Sequence, residues 1–222
     1  MTVPRSPLLA QAWALFEQGQ YEEAFQMAQA LLGGLQGEDR RDAQRLMGLA
    51  RYHQRQYERA SFWLREACKG SEQAQDWLHL ALAATMQGDH DLGEQAFEQA
   101  RFCQQAAKYE QEPGWYVQLY WYAGVLCDSG QHERALPLLE ALASAYKRLH
   151  HTDTVFLYGR GLPFLSSFLD LAVRCFRVLE RRAEGIAWLE ELARALDAAG
   201  QRQVGKAVGE LRREEGGVRS DE

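Results

Sequence analysis

The stretch GQYEEAFQMAQAL, beginning at Gly19, returns as GQHERALPLLEAL at Gly130. Two related hexamers lie between them, RQYERA at 55–60 and GDHDLG at 88–93, and a faded one, RRAEGI, follows at 181–186. The aromatic or histidine positions Tyr21, Tyr57, His90 and His132 are 36, 33 and 42 residues apart, and the step on to Ala183 is 51. A chain that repeats itself at such intervals is predicted to build stacked units. One helical hairpin cannot bury its own apolar face, whereas hairpins laid side by side share a continuous core.

Each copy carries the same parts. A first helix shows apolar residues three and four apart, as in Trp77, Leu80, Ala81 and Ala84. A turn follows, often at a glycine that can take the left-handed conformation ending a helix. Turns are expected at Gly19–Gln20, Gln54–Gln56, Gly88–Asp89 and Gly130–Gln131. The second helix starts near the aromatic. Its small residue (Ala24, Ala60, Gly93 or Ala135) permits close approach, and Leu64, Phe97 or Leu139 fills the space one turn later.

The longer steps read as added helix. Apolar positions continue through Phe97, Ala100, Cys103, Ala107 and Tyr109 until the break at Gln111–Gly114. A short extra helix is expected between the segment His150–Asp153 and Gly159–Pro163. After Gly200, Val204, Val208 and Leu211 form one stripe, as a terminal capping helix requires. The expectation is an all-α chain of ten or eleven helices. It comprises one repeat domain over 1–215 and a disordered tail over 216–222.

These features resemble the tetratricopeptide repeat (TPR). The likeness is clearest at 73–100, where Trp77, Leu80, Ala81, Gly88, Asp89, Phe97 and Ala100 stand at the family's positions, and in Gly48, Tyr57, Ala60 and Ala67. It departs in Gly93, where alanine is usual, in the missing closing proline, and in the fifth copy, which lacks both glycine and aromatic. The resemblance implies an α-α superhelix, a TPR-like solenoid of about five hairpins plus a C-terminal cap.

Composition narrows function by exclusion. The net charge is −6 and basic residues are interleaved with acids, so no field draws the chain to nucleic acid or anionic membrane. The N-terminal residues carry no signal-peptide pattern. The most apolar later stretch, 154–176, contains Arg160, Asp170, Arg174 and Pro163 and falls short of a membrane span. Cys68, Cys103, Cys127 and Cys175 form no close pair in sequence and read as small core hydrophobes in a reducing, cytoplasmic setting. No phosphate-binding, nucleophile-elbow or zinc-protease motif occurs. His150 and His151 beside Asp153 read as a helix end rather than a chelate, because adjacent helical residues point about 100° apart. No catalytic residue, metal ligand or cofactor is expected.

In the family this chain resembles, first helices line a groove that receives a peptide or helix. Transferred residue by residue, that orientation nominates Leu9, Trp13 and Phe16, then Arg45, Leu49, Tyr52 and His53. The third copy contributes Leu78, His79, Leu82 and Met86, and the fourth Tyr120, Trp121, Gly124 and Cys127. The family's carboxylate clamp for chaperone C-terminal tails is missing, since its places hold Leu9, Trp13, Leu46, Gln75 and His79. The implied partner is another protein, through an apolar or amphipathic segment with basic flanks. A non-catalytic adaptor is the first reading. A ligand-responsive sensor of the bacterial regulator type and a self-associating architectural subunit are the alternatives.

Overall fold

The computed structural model describes residues 7–106 and 114–213. After a 3-10 turn at Pro7–Leu9 come α1 (Ala10–Glu17), α2 (Tyr21–Leu32), α3 (Gly37–His53), α4 (Tyr57–Cys68), α5 (Ala74–Gln87) and α6 (His90–Ala106). Then follow α7 (Trp115–Asp128), α8 (His132–Leu149), α9 (Thr154–Gly159), α10 (Leu165–Val178), α11 (Arg182–Arg194) and α12 (Ala198–Arg213). Among the described residues there are twelve α-helices and no strand. The count exceeds the expected ten or eleven because the short α9 adds one to five hairpins and a cap. The chain divides into two compact units, Met1–Glu112 and Pro113–Glu222. Ala107, Tyr109 and the tail at 216–222 lie outside the described residues.

All five hairpins turn in the same way. The residue just before each second helix donates its N–H back to the first helix: Gln20 to Leu15, Gln56 to Arg51, Asp89 to Ala84, Gln131 to Leu126 and Arg181 to Phe176, at 2.7–3.0 Å. This bond, spanning five residues, closes a helix through one left-handed residue. That residue is Gly19, Arg55, Gly88, Gly130 or Glu180, with φ between 57° and 93°. Two copies therefore place a side chain where glycine is favoured. A left-handed L-residue costs roughly 1–2 kcal/mol, against which glycine's extra unfolded-state freedom sets about 0.5–1. Arg55→Gly and Glu180→Gly should each stabilise their unit by about 0.5–1 kcal/mol, read as a higher midpoint in urea denaturation. An unchanged or lower midpoint would contradict the strain assigned to these turns.

The turns also correct the fifth copy. The sequence pattern aligns Arg181 with Gly19 and Ala183 with Tyr21, but the backbone puts Glu180 and Arg182 there, one residue earlier. The small position is then Gly185, which is buried, while Ala183 is exposed. Counted this way the packing repeats throughout. Ala24, Ala60, Gly93, Ala135 and Gly185 are buried, and four residues on so are Ala28, Leu64, Phe97, Leu139 and Leu189. Nine residues before each second helix stand Ala12, Gly48, Ala81, Ala123 and Val173, also buried. Small residues at these places let the two helices of a hairpin touch.

The long interval in unit 2 is pinned by polar bonds. Asp197 accepts from the Gly200 N–H at 2.8 Å near the start of α12, and from both the N–H and the hydroxyl of Thr152, at 2.9 and 2.6 Å. The Thr152 side-chain hydrogen bond, with those of the Gly200 and Thr152 backbones, holds the Asp197 carboxyl down at about 2. His150 ends α8 in a left-handed conformation, and Asp153 caps α9 by accepting the Phe156 N–H at 2.9 Å. The expected short helix between 153 and 159 is therefore present. α12 packs on α10 and α11 and buries Val204, Val208 and Leu211, which fits the capping role.

Candidate partner-binding faces

On the first-helix face of unit 1, the nominated residues divide between interior and surface. Leu9, Trp13, Arg45 and Leu78 are buried by the chain's own packing. Phe16, Leu49, Tyr52, Leu82 and Met86 are half-buried, and His53 is exposed. His79 is half-buried with its Nδ1 out of reach of solvent and without a partner among the described residues. Burial is the main cause pulling its pKa down to about 4, so the ring is neutral near pH 7.

The surface residues are brought together at the turn end of the first two hairpins. Phe16 meets His53 edge-on with centroids 5.3 Å apart, and His53 stacks on Tyr21 at 4.8 Å and 12°. Tyr52 lies edge-on to both His53 and Tyr57, at 6.0 and 5.5 Å. Edge-to-face rings hold one another in place, so this patch presents amphipathic aromatic surface at little conformational cost. His53 also has a lowered pKa from burial of one side.

Toward the other end of α3 lies a buried ionic network that the sequence pattern does not announce, since it places Arg45 toward a partner. Arg45 instead forks onto Asp76 of α5 through Nε and Nη2 and bonds Asp42 of its own helix at 2.9 Å. Asp42 also accepts the indole N–H of Trp13 at 3.1 Å, and Asp76 accepts the Ser71 hydroxyl at 2.6 Å. Burial works against the guanidinium charge, but the hydrogen bond and charge of Asp76, aided by Asp42 and Glu38, outweigh it, and the Arg45 pKa is raised. One arginine thus ties the first helices α1, α3 and α5. Opposite-sign residues on successive first helices, Asp42, Arg45 and Asp76, were the available signal.

In unit 2, Tyr120 is half-buried and hydrogen-bonded with Ser167, and burial raises its hydroxyl pKa. Trp121 is 40% exposed. Gly124 is half-buried, and its carbonyl accepts from Arg174 at 3.4 Å. Cys127 is buried beside Cys175, 48 residues on, and the hydrogen bond from Cys175 lowers the Cys127 pKa. Cys175 itself reaches the His132 carbonyl at 3.3 Å. All four cysteines are buried and none is in a disulfide, as small core hydrophobes would be.

The fold is that of a TPR-like helical-repeat protein. It is shared by solved structures of nearly identical TPR-like repeats assigned to a kinesin light chain of Podosopora anserina. One has a TM-score of 0.62 at 20% identity, covering 93% of this chain and 95% of that one. A point variant of the same repeats has a TM-score of 0.61 at 21% identity, covering 88% and 95%. No protein-family model and no curated protein matches the sequence.

Proposed function

We propose that this chain is a non-catalytic scaffold that receives an apolar or amphipathic segment of another protein on its first-helix faces. The anchors are Phe16, Tyr52, His53 and Met86 in unit 1 and Tyr120 and Trp121 in unit 2. The carrying observation is the aromatic run from Phe16 through His53 to Tyr52, rigidly packed yet left partly open by the chain itself. Aromatic residues and Met are the side chains enriched at interface centres. The buried Trp13 and Arg45 serve this face by fixing the helices behind it. The net charge of −6 favours basic residues flanking the apolar segment. Among the described residues no helix is long and apolar enough to cross a membrane, and we place the protein in the cytoplasm.

The test is to change Tyr52 and Trp121 to Ala separately and measure retention of a co-purifying partner after helicity is verified by circular dichroism. Loss of about tenfold or more in affinity, about 1.4 kcal/mol, is expected of an anchor. Full retention by both variants would remove the first-helix faces as the site.

A further inference from the structure

Each unit also has a groove between second helices, and the repeat builds both grooves from the same positions. In unit 1 a groove of about 600 Å³ between α2 and α4 is lined by Phe25, Arg51 and Trp63. In unit 2 one of about 420 Å³ between α8 and α11 is lined by Leu136, Phe176 and Trp188. Phe25 and Leu136 stand at the same step of α2 and α8, four residues past the helix start. Trp63 and Trp188 stand six residues past the starts of α4 and α11, and Arg51 and Phe176 six residues before them. The shape repeats, but the charge does not. The unit 1 groove has Arg51 and Arg59 against Glu58, whereas the unit 2 groove has Glu133, Glu140 and Glu184 against Arg181.

The unit 2 groove already holds one cation of its own. Arg181 forks onto Glu184 at 2.7 and 2.6 Å and reaches Glu133 at 2.9 Å. Glu140 has no such closely bonded cation among the described residues. Its carboxylate accepts the indole N–H of Trp188, and Lys147, 3.9 Å away, is bonded to Glu191 at 2.7 Å. Trp188 in turn is seated against Phe168 and Phe176, with centroids 5.9 and 5.5 Å away. An oriented carboxylate beside an indole attracts a cation twice, through its charge and through the ring's electron-rich face.

We propose that the groove between α8 and α11 docks a basic peptide segment. It seats one Lys or Arg side chain against the Glu140 carboxylate and the adjoining face of the Trp188 ring, and rests the neighbouring apolar residues on Leu136 and Pro137. This site uses second helices, so it stands or falls separately from the first-helix faces.

The experiment titrates the full chain by calorimetry with a short capped peptide alternating lysine with leucine, and with its glutamate counterpart. The lysine peptide should bind, more weakly as salt rises, and the glutamate peptide at least about tenfold more weakly. Glu140→Gln should weaken the lysine peptide about tenfold without moving the melting temperature, and Trp188→Phe, which keeps the packing but loses the N–H, several-fold. Glu58→Gln in the sister groove should change nothing. Equal binding of the two peptides, or lysine-peptide binding indifferent to Glu140→Gln and Trp188→Phe, overturns the proposal. Binding lost in Trp121→Ala but kept in Glu140→Gln also overturns it, and moves the peptide to the first-helix face.

Discussion

Arg45→Leu should cost unit 1 about 3–5 kcal/mol, the usual penalty for removing one member of a buried ion network. The leucine would fit the apolar surroundings, but Asp42 and Asp76, each 1% exposed, would lose the guanidinium that neutralises them. Asp42 would keep the Trp13 N–H and Asp76 the Ser71 hydroxyl, neither of which balances a full charge. Changing Asp42 and Asp76 to Asn alongside Arg45→Leu should recover much of the loss at neutral pH, because no unpaired charge remains inside. Denaturant melts of the single and triple variants at pH 7 would decide it. A single variant that loses less than about 1 kcal/mol would mean that the network carries little of the stability.

Gly185→Leu tests the corrected register of the fifth repeat. A Cβ at Gly185 would lie 2.7 Å from Cγ of Phe176, which is 3% exposed and cannot swing into solvent. Overpacking of this kind costs about 1–3 kcal/mol, offset in part by the gain of up to about 1 kcal/mol on replacing a helical glycine. The net result should be destabilisation. Gly205→Leu supplies the contrast, since nothing lies within 4 Å of its Cβ position and only the propensity gain remains. Ala183→Leu, on an exposed face, should stay within about 0.5 kcal/mol of the parent. The alignment by sequence pattern instead puts Gly185 at the exposed place of Glu23, and so requires no loss of stability from Gly185→Leu. Melting temperatures of the three variants discriminate between the two registers.

The reason glycine stands at 185 also shows how far local pattern reaches. Six residues before the second helix the fifth repeat has Phe176, where the others carry Leu15, Arg51, Ala84 and Leu126. The Phe176 ring lies so close to position 185 that a residue without a Cβ fits there. Helix starts, turns and inward-facing positions are legible because each depends on residues within a few places: a left-handed turn, an aromatic two residues later, a small side chain three beyond that. The fifth turn departs from the pattern by one place because Glu180 adopts the left-handed conformation at φ 57° without the glycine of the first, third and fourth turns and without the aromatic two places on that marks the second at Tyr57.

What a face meets is a different question from which way it points. The pattern puts Arg45 correctly on a first-helix face, but its partner Asp76 lies 31 residues away and turns that position from surface into interior. Cys127 and Cys175 become neighbours only when α7 and α10 pack. Trp63 and Trp188 form equivalent grooves only after the repeat register is known from the backbone. Periodicity records the direction of a side chain, which a few residues of helix set. Burial, charge pairing and grooves arise between helices, where the free energy depends on residues the local pattern does not contain.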